Sequence, residues 1–231
     1  MVTMELDNFS LEQICDSGQC FRMKKTGEYT YSLVAGNQYL EVSQNGSIVD
    51  FNCSDTELIC FWVPYFDLDA DYGAYIERIN PRDQYLSKAA VHGSGIRILQ
   101  QDLWEMIGPE ILAEATEQEL RELGLGYRAR YIAETARTIV QGEISLEKIY
   151  RMRYYNRAKN ELMKLCGVGE KVADCICLFA LHHMDAFPVD THIRQVLDEH
   201  YKRGFPNRRY HGIRGIMQQY IFYYELTEGR N

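Results

Sequence analysis

Apolar and polar positions alternate along the first part of the chain. Between residues 29 and 53 apolar side chains recur in three short runs with the two-residue period of a half-buried strand. The dipeptide Asn45-Gly46 separates the second run from the third and is typical of a tight hairpin turn. This pattern predicts an antiparallel meander.

Beyond about residue 55 the apolar positions follow a helical period. Thr116 and Glu119 have the spacing of a capping box, and Gly124 and Gly142 have positions typical of helix ends. Further helices are predicted at 157–165, 171–183, 191–201 and 209–226. The predicted fold is α+β, with an N-terminal antiparallel β-sheet domain at 1–60 packed on a mostly helical core at 61–231.

Candidate chemistry begins at a glycine turn that precedes a predicted helix. Gly167 and Gly169 let the backbone approach a ligand closely, and the helix that follows adds its positive N-terminal end, so the turn is suited to a phosphate. Lys171 opens this helix beside apolar positions, where desolvation would favour the free amine that attacks carbon. A GxGxK motif on its own more often marks a helix start with a solvated lysine.

Asp190 follows Pro188 and Val189 and precedes another amphipathic segment. The commonest use of Asp at such a position is as a helix N-cap. The same carboxylate, kept ionised at the helix N-terminus, can stabilise positive charge on a sugar ring or take up a proton. An amine and a carboxylate near a phosphate-binding turn point to chemistry on a nucleic-acid sugar.

The run from Gly167 to Ile176, together with Pro188-Val189-Asp190, resembles the helix-hairpin-helix glycosylases that carry a Gly/Pro-Asp motif. Among these it most resembles the 8-oxoguanine DNA glycosylases, with the helix-hairpin-helix at about 157–183. The resemblance extends, in the family's order, to the blocks 17–22, 95–102 and 123–131.

This resemblance implies a bifunctional enzyme of DNA base excision repair, a DNA glycosylase with abasic-site lyase activity. Such an enzyme flips out and excises 8-oxoguanine through a lysine Schiff base and then cleaves the strand by β-elimination. Lys171 matches the nucleophile and Asp190 the carboxylate that assists it. Gly18 matches the glycine whose carbonyl accepts the N7–H of 8-oxoguanine, a proton that guanine lacks; the alternative for Gly18 is a simple turn.

Other matches concern the base and the DNA. Gln218 matches the residue that reads the Watson–Crick edge of the base, Phe222 the ring that stacks on it, and Cys175 the opposite wall. The i,i+4 spacing independently puts Gln218 and Phe222 on one helix face. A core cysteine is the alternative for Cys175. The DNA-binding matches are the wedge Tyr127, the cytosine ligand Arg128, the hairpin glycines Gly167 and Gly169, and His192, which is otherwise a surface histidine.

The resemblance also implies a cation at the hairpin, monovalent or calcium-like. The backbone carbonyls of Met163, Leu165 and Val168 match this family site. Carbonyl ligands leave no side-chain pattern in a sequence, so the site depends on the resemblance alone. No cofactor is implied for the reaction.

One segment of the family's pattern is missing between Ile107 and Gly108. The family has a buried helix, an asparagine-rich turn and another helix at this point. The turn fills the position of the flipped base, and a nearby side chain helps to hold the orphaned cytosine. Either the chain is an internally deleted form or other residues compensate, and the deletion predicts slower extrusion of the base from duplex DNA.

Charge is divided unevenly along the 231 residues. Residues 1–120 have 7 Lys/Arg and 20 Asp/Glu, a net −13, whereas residues 121–231 have 18 and 13, a net +5, which together give the overall −8. The half with the hairpin motif is therefore the basic one, as DNA binding requires.

The seven cysteines form no CxxC pair and no metal-ligand cluster, which predicts reduced thiols and, without a targeting signal, a bacterial-type cytoplasmic protein. No apolar stretch has membrane-spanning length. The implied partner is double-stranded DNA containing oxidised guanine, bound by a monomer.

Two alternatives stay open. One is a helix-hairpin-helix protein that binds DNA with impaired catalysis, and the other is a glycosylase for another damaged purine. Lys171 and Asp190 argue against the first, since DNA binding alone requires neither. The second is favoured if Gly18 does not reach the base pocket.

Overall fold

The computed structural model describes residues 1–100 and 108–228. The chain divides into two compact units. The first unit consists of Met1–Gln101 and Val189–Asn231, and the second unit of Asp102–Pro188. Ile107, where we infer the missing segment, lies outside the described residues.

The first unit contains an antiparallel sheet of five strands in the order β1-β5-β4-β3-β2. Their bounds are β1 Val2–Glu5, β2 Met23–Lys25, β3 Thr30–Ala35, β4 Gln38–Asn45 and β5 Ile48–Phe51. The predicted meander is confirmed as β3, β4 and β5, and Gly46 turns the chain between the last two with φ +61°. Strands β1 and β2 escaped prediction because four and three residues are too few for an alternating pattern to stand out.

One face of this sheet forms a hydrophobic core with the helices that follow it. Leu33 of β3 and Leu40 of β4 are paired across the ladder and are both buried, as the two-residue period predicts. Trp62 and Phe66 pack into the same cluster. The sheet is thus covered by apolar side chains from within its own unit.

The helices of the first unit are α1 Leu11–Asp16, α2 Asp55–Glu57, α3 Val63–Tyr65, α4 Tyr72–Glu77, α5 Gln84–His92, α12 Thr191–His200 and α13 Arg214–Thr227, with a π-helical stretch at Leu58–Trp62. Helix α13 begins five residues later than the predicted 209, because residues 207–213 form turns, with Gly212 at φ +79°.

The second unit has helices joined by turns and no strand among its described residues. Its helices are α6 Pro109–Glu114, α7 Glu117–Leu120, α8 Arg128–Val140, α9 Leu146–Tyr150, α10 Tyr155–Leu162 and α11 Glu170–Cys175, with π-helical stretches at Arg121–Leu125 and Ile176–Ala180. The predicted capping box at Thr116 and Glu119 is present. Gly142, just after α8, and Gly124, at a kink inside the π-helical stretch Arg121–Leu125, have φ values of +76° and +84°, the left-handed conformation that favours glycine.

The predicted α+β class is confirmed by this sheet and these helices. All five strands fall within residues 1–60, although the boundary that we predict at residue 60 itself stays a prediction. Among the residues described here, no helix has the length and apolar character needed to span a membrane.

Candidate active site

Helices α10 and α11 of the second unit are joined by the predicted glycine turn. Gly167 has φ +77°, and a Cβ at this position would lie 2.4 Å from Cγ of Tyr131. Gly169 has φ −85° and precedes α11, with no atom within 4 Å of a Cβ placed there. The two glycines therefore have different tasks: Gly167 makes the turn and receives the Tyr131 ring, whereas Gly169 leaves the backbone open.

Helix α8 holds this turn through side chains on one face. Thr135 Oγ1 donates to the carbonyl of Cys166 at 3.1 Å, and the Cys166 thiol donates to Glu134 at 2.7 Å. Glu134 also accepts from Arg130 at 2.7 Å. The Cys166 thiol, followed by Arg130, lowers the pKa of the Glu134 carboxyl, and the same carboxylate raises the pKa of Cys166.

Asp174 ties the two helices of the hairpin together. Its buried carboxylate accepts a short hydrogen bond from the Tyr155 hydroxyl and forms an ion pair with Lys159 at 3.0 Å. Both partners belong to α10. Because a buried carboxylate without partners is costly, these two contacts fix the angle between α10 and α11.

Lys171 is the second residue of α11, and its side chain is exposed. We expected the protein itself to desolvate this amine, and the exposure of Lys171 contradicts that expectation. Within the described part of the chain, the amine has no hydrogen-bond or ion-pair partner. The other two lysines of the hairpin are engaged, Lys159 by Asp174 and Lys164 by Glu161 at 2.6 Å.

A cleft of about 510 Å³ lies beside the hairpin within the second unit. Tyr127 and Arg128 line it together with Gly167 and Val168 of the turn, so the structure brings the predicted wedge and cytosine ligand close to the predicted phosphate site. Tyr127 is 62% exposed, and the Arg128 guanidinium lies 4.8 Å from its ring centroid. An exposed aromatic ring braced by a guanidinium suits insertion between bases.

The candidate cation site consists of carbonyl oxygens in the same turn. The Leu165 carbonyl accepts from the Val168 amide at 3.1 Å, whereas those of Met163 and Val168 have no hydrogen-bond donor within the described ranges. Hard cations such as Ca²⁺ prefer oxygen ligands of this kind, so the donor set fits the predicted ion. No group of three or more His, Cys, Asp or Glu side chains suited to a metal occurs in the residues that the structure covers.

Asp190 belongs to the first unit and caps α12. Its Oδ1 accepts from the Ile193 amide at 2.8 Å, which confirms the predicted N-cap. Oδ2 has no partner among the described residues, and the carboxylate is half-buried. One oxygen thus holds the helix, and the other makes no hydrogen bond or ion pair within the described residues. His192, two residues on, is half-buried in the first turn of the same helix.

Gly18 lies in the loop between α1 and β2 of the first unit. It is exposed, has φ +75°, and would leave a Cβ without any atom within 4 Å. Its carbonyl accepts no hydrogen bond from the residues that the structure describes. Ser17 and Gln19 on either side are buried, with exposures of 2% and 5%. The predicted base-reading carbonyl is therefore an unused acceptor on an anchored loop.

Gln218 and Phe222 lie one turn apart on α13, as predicted. Gln218 is buried, and its Oε1 accepts from Gln219 Nε2 at 2.7 Å, while Phe222 is half-buried. Cys175, the predicted opposite wall, ends α11 in the second unit and is also half-buried. None of the seven cysteines forms a disulfide, and burial raises the pKa of the neighbouring Cys177 to about 12.

Sequence reasoning missed the residues that hold these groups in place. Tyr131, Glu134 and Thr135 support the turn, and Asp174 joins its helices. The i,i+3 and i,i+4 spacing of the first three residues shows that they share a face, but nothing in the sequence says what that face contacts.

Comparison with known proteins agrees with this geometry. Residues 84–211 match the family described as HhH-GPD superfamily base excision DNA repair protein. The chain therefore belongs to the HhH-GPD superfamily of base excision DNA repair proteins. Residues 1–107 match the N-terminal domain of 8-oxoguanine DNA glycosylase, which narrows the membership to the 8-oxoguanine glycosylase branch of that superfamily.

The chain is similar to a crystal structure of Clostridium acetobutylicum 8-oxoguanine glycosylase/lyase bound to double-stranded DNA with cytosine opposite 8-oxoguanine. The TM-score is 0.88 at 31% identity, over 96% of this chain and 93% of the other. An N-glycosylase/DNA lyase of Saccharomyces cerevisiae is 27% identical over 83% of this chain and 68% of its own length. N-glycosylase/DNA lyase OGG1 of Arabidopsis thaliana is 26% identical over 78% of this chain and 63% of its own.

The alignment with the yeast protein also bears on the missing segment. It extends over 258 residues, although it covers only 83% of a chain of 231. The yeast protein must therefore contain residues that have no counterpart here. This difference in length agrees with an internal deletion, without locating it.

Proposed function

We propose that this protein excises 8-oxoguanine from double-stranded DNA and then cleaves the strand at the abasic site that it has made. The membership and the whole-chain similarity to glycosylase/lyases support both activities. The observation that carries the assignment to particular residues is the free, exposed amine of Lys171 at the start of α11, in a hairpin whose two other lysines are paired.

In the proposed reaction the neutral amine of Lys171 attacks C1′ of the damaged nucleoside. The C1′–N9 bond breaks and its electron pair leaves with the base, which takes up a proton. The attached nitrogen loses a proton, and the sugar ring then opens: the C1′–O4′ bond breaks, O4′ takes up a proton, and a protonated imine forms between C1′ and Lys171. The positive imine acidifies C2′; loss of a C2′ proton then expels the 3′ phosphate, and water finally hydrolyses the imine.

Exposure of Lys171 in the free protein gives DNA a role in activating it. A solvated lysine is mostly protonated at neutral pH and is a poor nucleophile. DNA bound at the hairpin would exclude water from this amine, and that desolvation disfavours the charged ammonium. We infer that the substrate, rather than the apolar core of the second unit, supplies the desolvation.

We assign to Asp190 the assisting carboxylate. Its Oδ1 is held by the Ile193 amide, which fixes the side chain, and Oδ2 can accept the proton that the nucleophile loses or stabilise the developing sugar cation. The carboxylate caps a helix of ten residues, so the helix and the side chain hold each other in place.

Recognition of the base is assigned to Gly18, Gln218 and Phe222 of the first unit, and the second wall to Cys175. Two observations support this assignment. The Gly18 carbonyl accepts no hydrogen bond within the described residues, and Gln218 and Phe222 lie on one face of α13. Contact with the helix backbone of DNA is assigned to Gly167, Gly169 and His192, and contact with the opposite strand to Tyr127 and Arg128.

We further propose that the enzyme acts as a monomer and needs no cofactor. The carbonyls of Met163, Leu165 and Val168 would hold a cation between hairpin and phosphate, without a part in the chemistry. Removal of divalent ions with a chelator should therefore weaken DNA binding at most and leave the single-turnover rate at saturating enzyme unchanged.

Borohydride trapping on a duplex with 8-oxoguanine opposite cytosine tests the assignment, because reduction converts only an imine into a stable crosslink. The wild type and Lys164→Gln should both be trapped, since Lys164 is an exposed hairpin lysine engaged by Glu161. Lys171→Gln should bind the duplex, yet it should show neither crosslink, base release nor strand cleavage. Base release by Lys171→Gln at the wild-type rate would remove this lysine from the mechanism.

A further inference from the structure

The side chain of Gln19 joins the loop that carries Gly18 to a segment distant in sequence. Gln19 is 5% exposed and uses both ends of its amide: Nε2 donates to the carbonyl of Arg97 at 2.9 Å, and Oε1 accepts from the amide of Leu99 at 3.1 Å. The amide thus pairs with the 97–99 segment much as a neighbouring strand would.

Gly18 itself has no comparable support. It is exposed in the left-handed conformation, and no atom lies within 4 Å of the position of a Cβ. Ser17 is anchored, since its hydroxyl donates to the Ile14 carbonyl at 2.8 Å and accepts from the Gln19 amide at 3.4 Å. The direction of the Gly18 carbonyl therefore depends on the residues that flank it, and Gln19 makes the contacts that are distant in sequence.

We propose that Gln19 is a positioning residue for 8-oxoguanine recognition: its two-point clamp on Arg97 and Leu99 aims the Gly18 carbonyl at the base. This inference rests on the proposed function and adds to it the residue that sets the direction of the discriminating acceptor. A single hydrogen bond at N7–H separates lesion from guanine, and a hydrogen bond weakens steeply as its geometry deteriorates. A shift of about 1 Å at a positioned group can reduce a rate by about 100-fold.

The chain provides a matched control in the same unit. Gln13 makes the same pair of bonds elsewhere, with Nε2 donating to the His92 carbonyl at 2.9 Å and Oε1 accepting from the Gly95 amide at 2.8 Å. Without this clamp, α1 would still be held by the Ser10 amide on the Gly95 carbonyl at 2.9 Å. Gln13→Met and Gln19→Met each remove two hydrogen bonds, part-buried for Gln13 and buried for Gln19, and keep the side-chain length, but only the second touches the Gly18 loop.

The test compares two single-turnover rates for each variant, both corrected for the folded fraction. One is excision of 8-oxoguanine, which needs the Gly18 carbonyl, and the other is β-elimination at a preformed abasic site, which has no base to recognise. Gln19→Met should lower excision by about 10- to 100-fold and leave β-elimination within about twofold of the wild type. Gln13→Met should leave the ratio of the two rates unchanged. Loss of folded protein alone would lower both rates equally.

A binding experiment gives the same discrimination without catalysis. In the Lys171→Gln background, the ratio of Kd values for guanine and 8-oxoguanine duplexes should fall about 2- to 10-fold when Gln19→Met is added, the equivalent of one hydrogen bond. If Gln19→Met does not fold, Gln19→Asn, which keeps an amide too short to reach both partners, should lower the excision ratio in the same direction.

An unchanged ratio of excision to β-elimination in the folded Gln19 variant overturns the proposal, as does an equal drop in Gln13→Met. Wild-type protein that cleaves an abasic site but does not release 8-oxoguanine would overturn the proposed function and the role of Gln19 with it. Wild-type protein that performs both steps, with a Gln19 variant that keeps their ratio, would overturn the role of Gln19 alone.

Discussion

Gly167→Ala perturbs the hairpin at the point where the structure leaves no room for a side chain. The residue has φ +77°, and an added Cβ would lie 2.4, 2.6 and 2.7 Å from three atoms of Tyr131. Gly169→Ala is the matched change two residues away: φ is −85° and nothing lies within 4 Å of its Cβ. The two variants therefore separate steric strain in the free protein from crowding against DNA.

The expected loss of stability can be estimated from two terms. A left-handed conformation costs a residue with a Cβ about 1 to 2 kcal/mol. Overpacking against Tyr131, whose ring must move, adds about 1 to 3 kcal/mol. The sum is about 2 to 5 kcal/mol, and at about 2 to 4 °C per kcal/mol for a chain of this size the Tm should fall by about 4 to 20 °C. Gly169→Ala should change the free energy of unfolding by less than about 0.5 kcal/mol.

The assay is thermal denaturation with circular dichroism, followed by DNA binding below the transition. Gly167→Ala should lose stability and DNA affinity together, whereas Gly169→Ala should keep its Tm and lose affinity only, because its backbone is the one that approaches phosphate. Tyr131→Ala added to Gly167→Ala should recover the steric part of the loss but not the backbone part. A Gly167→Ala protein with the wild-type Tm, or equal Tm losses in the two variants, would refute this reasoning.

Three further predictions concern the carboxylates. Asp190→Asn should keep its Tm, since Asn caps a helix about as well as Asp, yet lose at least about 100-fold in single-turnover excision; a normal rate per folded molecule would leave Asp190 as a cap only. Asp174→Asn should destabilise the protein by about 3 kcal/mol in chemical denaturation, because the Lys159 ammonium, 19% exposed, loses its partner; the same loss in a Lys159→Met/Asp174→Asn double variant would contradict this cause. The Glu134 carboxylate raises the pKa of Cys166, so Glu134→Gln should lower that pKa and increase the thiolate fraction near neutral pH. Alkylation of Cys166 should therefore become faster. Peptide mass spectrometry measures the rate, with the exposed Cys60 as internal reference.

The sequence was sufficient where a local pattern determines a local structure. The Asn45-Gly46 turn, the box at Thr116 and the Asp190 cap each depend on a few neighbouring residues, and each occurs as predicted. Helices with a clear apolar stripe were placed to within a few residues. The start of α13 was placed too early. The apolar period of the sequence continues back to residue 209, but residues 207–213 form turns and the helix begins at Arg214.

Long-range contacts account for what the sequence could not predict. Gln19 bonds to Arg97 and Leu99, which lie 78 and 80 positions further along the chain. Thr135 bonds to Cys166, which lies 31 positions further along. No periodicity specifies such pairs, because either partner alone has an ordinary polar role. The exposure of Lys171 could not be predicted either. The helical period shows that α11 has an apolar stripe, but it does not show which side chains of the first turn face solvent in the folded chain.

The missing segment would affect the two recognition tasks differently, because their residues belong to different units. Gly18, Gln218 and Phe222, assigned to the lesion, belong to the first unit, whereas Tyr127 and Arg128, assigned to the opposite strand, belong to the second unit, in which the deletion is inferred.

Extruding a base costs a few kcal/mol of stacking and pairing, which a plug at the vacated position normally offsets. Without the plug we expect slow excision from a cytosine pair and weak preference for cytosine, with faster excision when the lesion is mispaired or single-stranded. Single-turnover rates on these three substrates measure the effect, and β-elimination at an abasic site, where no base is extruded, serves as the control. Strong cytosine preference, with excision no faster when the lesion is mispaired or single-stranded, would show that Tyr127 and Arg128 compensate fully for the segment.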